Sequence, residues 1–362
     1  MRISAALPQG VTALFFDAAR RRRSLEARLV ERLEAADFSE VVLPIVDYLE
    51  PYEPLLTAAS RGELYRFIDR DGELLALRAD FTPMLARLLA PMLTADAPGQ
   101  RDGPLTLPLR LFYRGDVVRY EEERPGRQRE LYQVGAELLG VPGIAAEREM
   151  LRLFLSLLAV AGEGRMRVVL GFAGALDRPL AAAAAEGSEA GALAAALSRR
   201  ERGLFARAAS GSARSRAPWA RTLSAVLENG VPADPAELGE PAAERLGEVV
   251  ALAASAATEF PGIAAEVDLA EFADQILDPD LGPATAGGTT AAGAERSYYD
   301  GLVFRAYAGA VALPAGAGGR YDGLFRRLGA DLPAVGFSLG LDRLGNGRHA
   351  RPTLAADPRG DR

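Results

Sequence analysis

The sequence predicts an α+β fold in which an antiparallel sheet is flanked by helices and an alanine-rich helical insertion divides the chain. Three observations carry this. Residues 109–140 alternate apolar and polar side chains on both sides of a charged turn, which is the period-2 pattern of two long paired strands. Residues 15–36 place Leu25, Leu29 and Leu33 at helical spacing among arginine and glutamate. From 180 to 257 alanine dominates, with Leu, Arg and Glu at helical intervals and breaks at Gly211, Gly230, Pro232 and Pro235.

In chain order, the helix over 15–36 opens on a basic run, Arg20 to Arg23, read as a solvated face. Residues 41–48 read as a strand broken by Pro44, which confines it to an edge or an interface. The hairpin over 109–140 turns at Pro125 and Gly126. The β-branched run at 168–172 returns to the sheet before the helical insertion begins. Residues 282–293, rich in Gly and Thr, lack periodicity and read as a loop. Near the end, Gly316, Gly318 and Gly319 permit close backbone approach without forming a dinucleotide fingerprint. Gly336 and Gly340 allow a strand to pack tightly on the helix that follows.

The 362 residues are 49% hydrophobic, enough for a sizeable core. All 42 basic residues are arginine, there is no cysteine, and the single histidine is His349. Thiol nucleophiles, Cys/His zinc sites, Schiff-base lysines and a histidine base in the core are thereby excluded. A net charge of -7 disfavours nonspecific binding to nucleic acid or anionic membrane, and no apolar run spans a bilayer. A poor signal sequence at the N-terminus points to the cytoplasm.

Within the hairpin, Gln133, Gly135 and Glu137 share one strand face. The glycine between the two polar residues removes a side chain where a small polar ligand could lie on the backbone. Arg119, Arg127 and Arg129 add forked donors suited to carboxylate or phosphate.

The ordered set Arg119, Glu121, Gly126, Arg127, Arg129, Gln133, Gly135 and Glu137 resembles motif 2 of histidyl-tRNA synthetase and its paralogues. FSEVVLPIVDYLEPY at 38–52 resembles motif 1, with Pro44 as its dimer-interface proline, and residues 64–87 resemble the segment that holds the amino acid's ammonium group. SYYDGLVF (297–304), AGGRYDGL (317–324) and PAVGFSLGLDRL (333–344) resemble the two histidine-specific motifs and motif 3. The resemblance implies a class II aminoacyl-tRNA synthetase-like sheet. Its first part spans 1–178 and its second 261–345, with the insertion at 179–260 and a tail at 346–362.

Two departures narrow the resemblance. Ala294 stands where the synthetases carry their catalytic arginine, with Arg296 two residues away, and the short tail leaves no room for an anticodon-binding domain. RADFTPMLAR (78–87) also replaces a Pro-Glu-Gly-Thr run of the synthetases. In these respects the chain is similar to the regulatory subunits of ATP phosphoribosyltransferase. That likeness implies no catalytic residue, no cofactor and no metal. It implies L-histidine as ligand, the short-form catalytic subunit as partner, a homodimeric core, and contact with neither nucleic acid nor membrane.

Carried onto this chain, the family's pocket is Asp80 and Thr82 on the ammonium group, Gln133 bridging ammonium and carboxylate, Glu137 and Tyr299 on the imidazole nitrogens, and Tyr298, Tyr321 and Arg119 around them. Arg119 and Arg343 match the phosphate-binding arginines of the synthetases and would be vestigial here. Asp80 is one methylene shorter than the family's glutamate. For Asp80 the alternative is a cap on the helix beginning near Thr82 and Pro83, and for Tyr299 and Tyr321 it is packing in the sheet. A truncated histidine-activating ligase and a ligand-free dimeric scaffold are the rival readings.

Overall fold

The computed structural model describes residues 7–55, 58–93, 105–120, 128–162, 165–210, 217–276, 298–309 and 313–344. The hairpin turn with Glu121, Pro125, Gly126 and Arg127, the loop at 282–293, Ala294, Arg296, and the tail with His349 lie outside the described residues.

The chain begins with α1 (Phe16–Glu34), β1 (Ser39–Glu40), β2 (Val46–Tyr48), α2 (Ala58–Glu63), β3 (Arg66–Ile68), β4 (Leu74–Leu77) and α3 (Phe81–Leu93). The hairpin β5 (Leu109–Val118) and β6 (Glu130–Leu139), α4 (Gly143–Ala161) and β7 (Met166–Phe172) follow. A helical run comprises α5 (Asp177–Ala185), α6 (Ala190–Ser198), α7 (Arg202–Ala208), α8 (Pro218–Asn229) and α9 (Glu240–Glu259). The chain then forms β8 (Ile263–Val267), β9 (Leu302–Ala308), β10 (Gly316–Arg320), α10 (Asp322–Arg327), β11 (Ala334–Gly340) and α11 (Leu341–Leu344).

Eight strands form one sheet in the order β1-β5-β6-β11-β10-β9-β7-β8, and β2-β4-β3 form a small antiparallel sheet. The expected antiparallel sheet is present in its six central strands. Both outermost pairs, β1 with β5 and β7 with β8, are parallel, so the sheet is mixed. A parallel pair needs a crossover rather than a turn, and the helices α5 to α9 supply it between β7 and β8. The broken strand around Pro44 is found as two pieces in different sheets: β1 ends at Glu40, and β2 starts at Val46 in the small sheet. Between them the Leu43 and Pro44 carbonyls accept hydrogen bonds from Arg78 Nη1 at 2.6 and 2.8 Å.

The predicted periodicities account for the packing. Leu25, Leu29 and Leu33 of α1 are buried against the sheet and α4. Burying one such side chain stabilises the fold by roughly 1.5–3 kcal/mol. One contiguous apolar cluster takes in α1, α4, the sheet face and the helical run, including Trp219, the only tryptophan of the sequence, 3% exposed in α8. A second cluster on α3 and α10 covers Leu139, Tyr321 and Ala334, and this is where polar groups gather. Among the described residues no helix is long and apolar enough to cross a membrane.

Candidate functional site

The hairpin pairs in continuous register from Leu109 opposite Leu139 to Val118 opposite Glu130, which fixes Gln133, Gly135 and Glu137 on one face of β6. Glu137 is 1% exposed. Its Oε1 accepts the Thr82 hydroxyl at 2.6 Å and the Tyr113 hydroxyl at 3.3 Å, and its Oε2 accepts the Tyr321 hydroxyl. Among the described residues no cation is bonded to it. Burial pushes the carboxyl up to about 8; the charge of Asp80 adds to the rise, while the hydroxyl bonds, that of Thr82 foremost, oppose it. Burial, reinforced by the Glu137 charge, also drives the phenols of Tyr113 and Tyr321 upward, so both remain hydrogen-bond donors at neutral pH.

Glycine at 336 makes this carboxyl possible. Gly336 lies opposite Glu137 in the pairing of β6 with β11, and a Cβ there would fall inside the Glu137 carboxylate. The sequence assigned Gly336 to strand–helix packing; its cross-strand partner gives it this more specific duty. Gly135 is also corrected. A Cβ at 135 would collide with the ring and hydroxyl of Tyr113, its partner in the hairpin, so that space holds an aromatic side chain and no ligand can rest there.

Tyr113 was missed in the sequence, although it stands directly across from Gly135 in a symmetric hairpin. Its ring stacks on Phe81 at 4.2 Å, and the Arg78 guanidinium lies 3.8 Å above Phe81. Arg78 is fixed in turn by the Asp116 carbonyl, which accepts from its Nη2 at 2.8 Å. This stack holds the Tyr113 hydroxyl beside Glu137.

Asp80 precedes α3, which starts at Phe81, and Thr82 lies in its first turn. Asp80 Oδ1 accepts the Thr82 backbone N–H at 2.9 Å, the helix-capping geometry that the sequence held as the alternative. Its other oxygen faces Arg119 Nη2 at 3.2 Å, while Arg119 Nε donates to the Ala79 carbonyl at 2.7 Å. Asp80 therefore caps α3 while its charge is felt by both Glu137 and Tyr299.

Gln133 is 7% exposed, and its Oε1 is buried without a hydrogen-bond donor among the described residues. Tyr298 stacks on Tyr321 at 5.8 Å and meets Tyr299 edge-on at 4.8 Å. Tyr299 covers Gly319, where a Cβ would come within 2.6 Å of its ring. The structure thus brings Thr82, Glu137, Tyr298, Tyr299 and Tyr321 into one cluster with Asp80 and Arg119 at its margin. Arg343 donates to the Pro314 carbonyl at 3.0 Å on the connection from β9 to β10. Arg129 is used structurally: its guanidinium lies 5.3 Å over the Tyr120 ring, and its backbone N–H donates to the Gly10 carbonyl.

The arrangement can accept a hydrogen bond from a polar N–H. A buried carboxyl ringed by hydroxyls accepts such a donor, an adjacent phenol can address a second nitrogen, and the Gln133 oxygen calls for a further donor.

The family model described as Histidyl-tRNA synthetase matches residues 10–276 and 291–344. An ATP phosphoribosyltransferase regulatory subunit of Symbiobacterium thermophilum is 33% identical over 97% of this chain and 82% of its own. A solved structure described as an ATP phosphoribosyltransferase regulatory subunit/histidyl-tRNA synthetase from Bacillus halodurans shares the fold with a TM-score of 0.70 at 22% identity, covering 95% of this chain and 83% of that one. The ATP phosphoribosyl transferase (HisG:HisZ) complex from Thermotoga maritima contains a chain that superposes with a TM-score of 0.60 at 16% identity, over 88% of this chain and 97% of that one. The synthetase-like sheet agrees with these matches: the chain belongs to the ATP phosphoribosyltransferase regulatory subunits of the histidyl-tRNA synthetase family.

Proposed function

We propose that the protein binds L-histidine beside this cluster without transforming it and conveys occupancy to a catalytic ATP phosphoribosyltransferase of the short form, so that histidine restrains the first step of its own synthesis. The observation that supports this most is Glu137: a carboxyl buried to 1% exposure, bonded to three hydroxyls and to no cation among the described residues. An imidazole N–H supplies the missing donor and Tyr299 the contact to the second nitrogen. Gln133 and Asp80 receive the ammonium group.

Arg119 and Arg343 are vestigial phosphate ligands in this reading. Their bonds to the Ala79 and Pro314 carbonyls support a role in holding the fold. The reading includes a cytoplasmic homodimer joined through the region of Pro44, supported by the exposure of Val42 at 88% and Ile68 at 70%. It keeps the division at 179 and 260 between synthetase-like core and helical segment. Control requires only that histidine bind the inhibited state more tightly, with a coupling of roughly 1–3 kcal/mol.

The test is calorimetry with L-histidine and inhibition of the complex reconstituted with the catalytic subunit. Glu137→Gln keeps the shape but replaces one acceptor oxygen with an amide donor, and histidine affinity and inhibition are expected to fall together in that variant while assembly persists. Inhibition at unchanged histidine concentration would overturn the pocket. Histidine-dependent pyrophosphate exchange by the isolated chain would favour the ligase reading instead.

A further inference from the structure

The tyrosine wall beside Glu137 hangs on two chain segments. Tyr298 and Tyr299 lead into Asp300, Gly301 and Leu302, and Tyr321 sits between Arg320 and Asp322. The segments are bonded directly. The Asp300 N–H donates to the Arg320 carbonyl at 2.9 Å, and the Asp300 carboxylate accepts the N–H groups of Asp322 and Gly323 at 3.0 and 2.6 Å.

A buried carboxylate from another layer grips both. Glu147 of α4 is 2% exposed, and its Oε1 accepts the Leu302 N–H at 3.0 Å and Arg320 Nε at 3.1 Å. Gly301 leaves the room for this meeting, since a Cβ there would come within 2.7 Å of Arg320 Cδ and 2.8 Å of Glu147 Oε1. The other oxygen, Oε2, is held by Arg245 of α9, whose second nitrogen pairs with Glu248 at 2.6 Å. Arg320 spends its remaining donors on Asp322 at 3.1 Å and the Gly143 carbonyl at 2.8 Å. A continuous chain of charged bonds therefore runs from the helical segment through Glu147 to the residue that precedes Tyr321.

We propose that Glu147 and Arg245 are positioning residues for the tyrosine wall, which makes the helical segment a control element over histidine affinity; this rests on reading the cluster as the histidine site. The two guanidinium groups share one carboxylate. Losing Arg245 leaves Arg320 to compensate the buried charge, so the fold survives, but Oε2 is released and the carboxylate can turn away from Leu302 and Arg320.

Arg245→Met and Arg245→Lys test this in the full-length protein. In Arg245→Met, histidine affinity is expected to fall about tenfold in a protein that still melts cooperatively, and Arg245→Lys, which keeps a donor and its charge, recovers part of that loss. Amide hydrogen exchange of the ligand-free protein gives an independent readout: segments 299–302 and 320–323 exchange faster in Arg245→Met. Faster exchange in Arg245→Met, beside a wild type that does not bind histidine, would keep the positioning role and count only against the histidine reading. Unchanged exchange in these segments, or unchanged affinity in both variants, overturns the proposal.

Discussion

Glu137 is a carboxyl whose folded state favours the proton. With its folded value raised to about 8, the native protein holds a proton that the unfolded chain has already released above its ordinary carboxylate range. This contribution to stability is complete below that range and is lost as pH rises toward 8. Ligand-free protein is therefore expected to lose a few kcal/mol of unfolding free energy between about pH 5 and pH 8, and Glu137→Gln to abolish that slope. Denaturant titrations of both at a series of pH values check it, and parallel curves would contradict it. Gly336→Ala addresses the same carboxyl from the opposite strand. Its added methyl displaces Glu137, with an expected cost of about 1–3 kcal/mol in stability and loss of histidine binding.

At the scale of elements, Asp80 combines two duties that can be separated. Asp80→Asn retains an oxygen to cap α3 but gives up the charge that faces Arg119 and the cluster, whereas Asp80→Ala loses both. The alanine variant should cost about 1 kcal/mol of stability by cap loss, and the asparagine variant much less. Weakened histidine binding in Asp80→Asn at near wild-type stability would identify the aspartate as the ammonium ligand. The hairpin, α1 and the return strand β7 were legible in the sequence, because their apolar periods are set by local geometry. Other features depend on partners distant in the chain. Nothing near Val168 or Ile263 says that β7 and β8 run parallel, and nothing near Gly336 says that a carboxylate lies across from it. The cap at Asp80 was legible only as one of two options, since an aspartate before a helix and an aspartate in a pocket look alike until the third dimension is known.

Across the whole molecule, the alanine-rich run is the crossover between the parallel strands β7 and β8, and its buried leucines and alanines belong to the same apolar cluster as the sheet. Joining residue 178 directly to residue 261 would uncover that face and leave a parallel pair without its connection. Such a variant is expected to be insoluble or to lose cooperative melting, measured by scanning calorimetry. A soluble, cooperatively melting product would show that the helices are dispensable to the core. For the intact chain, L-histidine at about 100 times its dissociation constant should add roughly 2.7 kcal/mol to stability, readable as a thermal shift that Glu137→Gln lacks.

The position of Trp219 has a practical corollary. The lone indole is buried on α8, one of the crossover helices, while the phenols beside Glu137 belong to the sheet and its connections. Its emission reports on the crossover alone, so a fluorescence change on adding histidine would register a signal arriving at the helices from the pocket, with no dye or label attached.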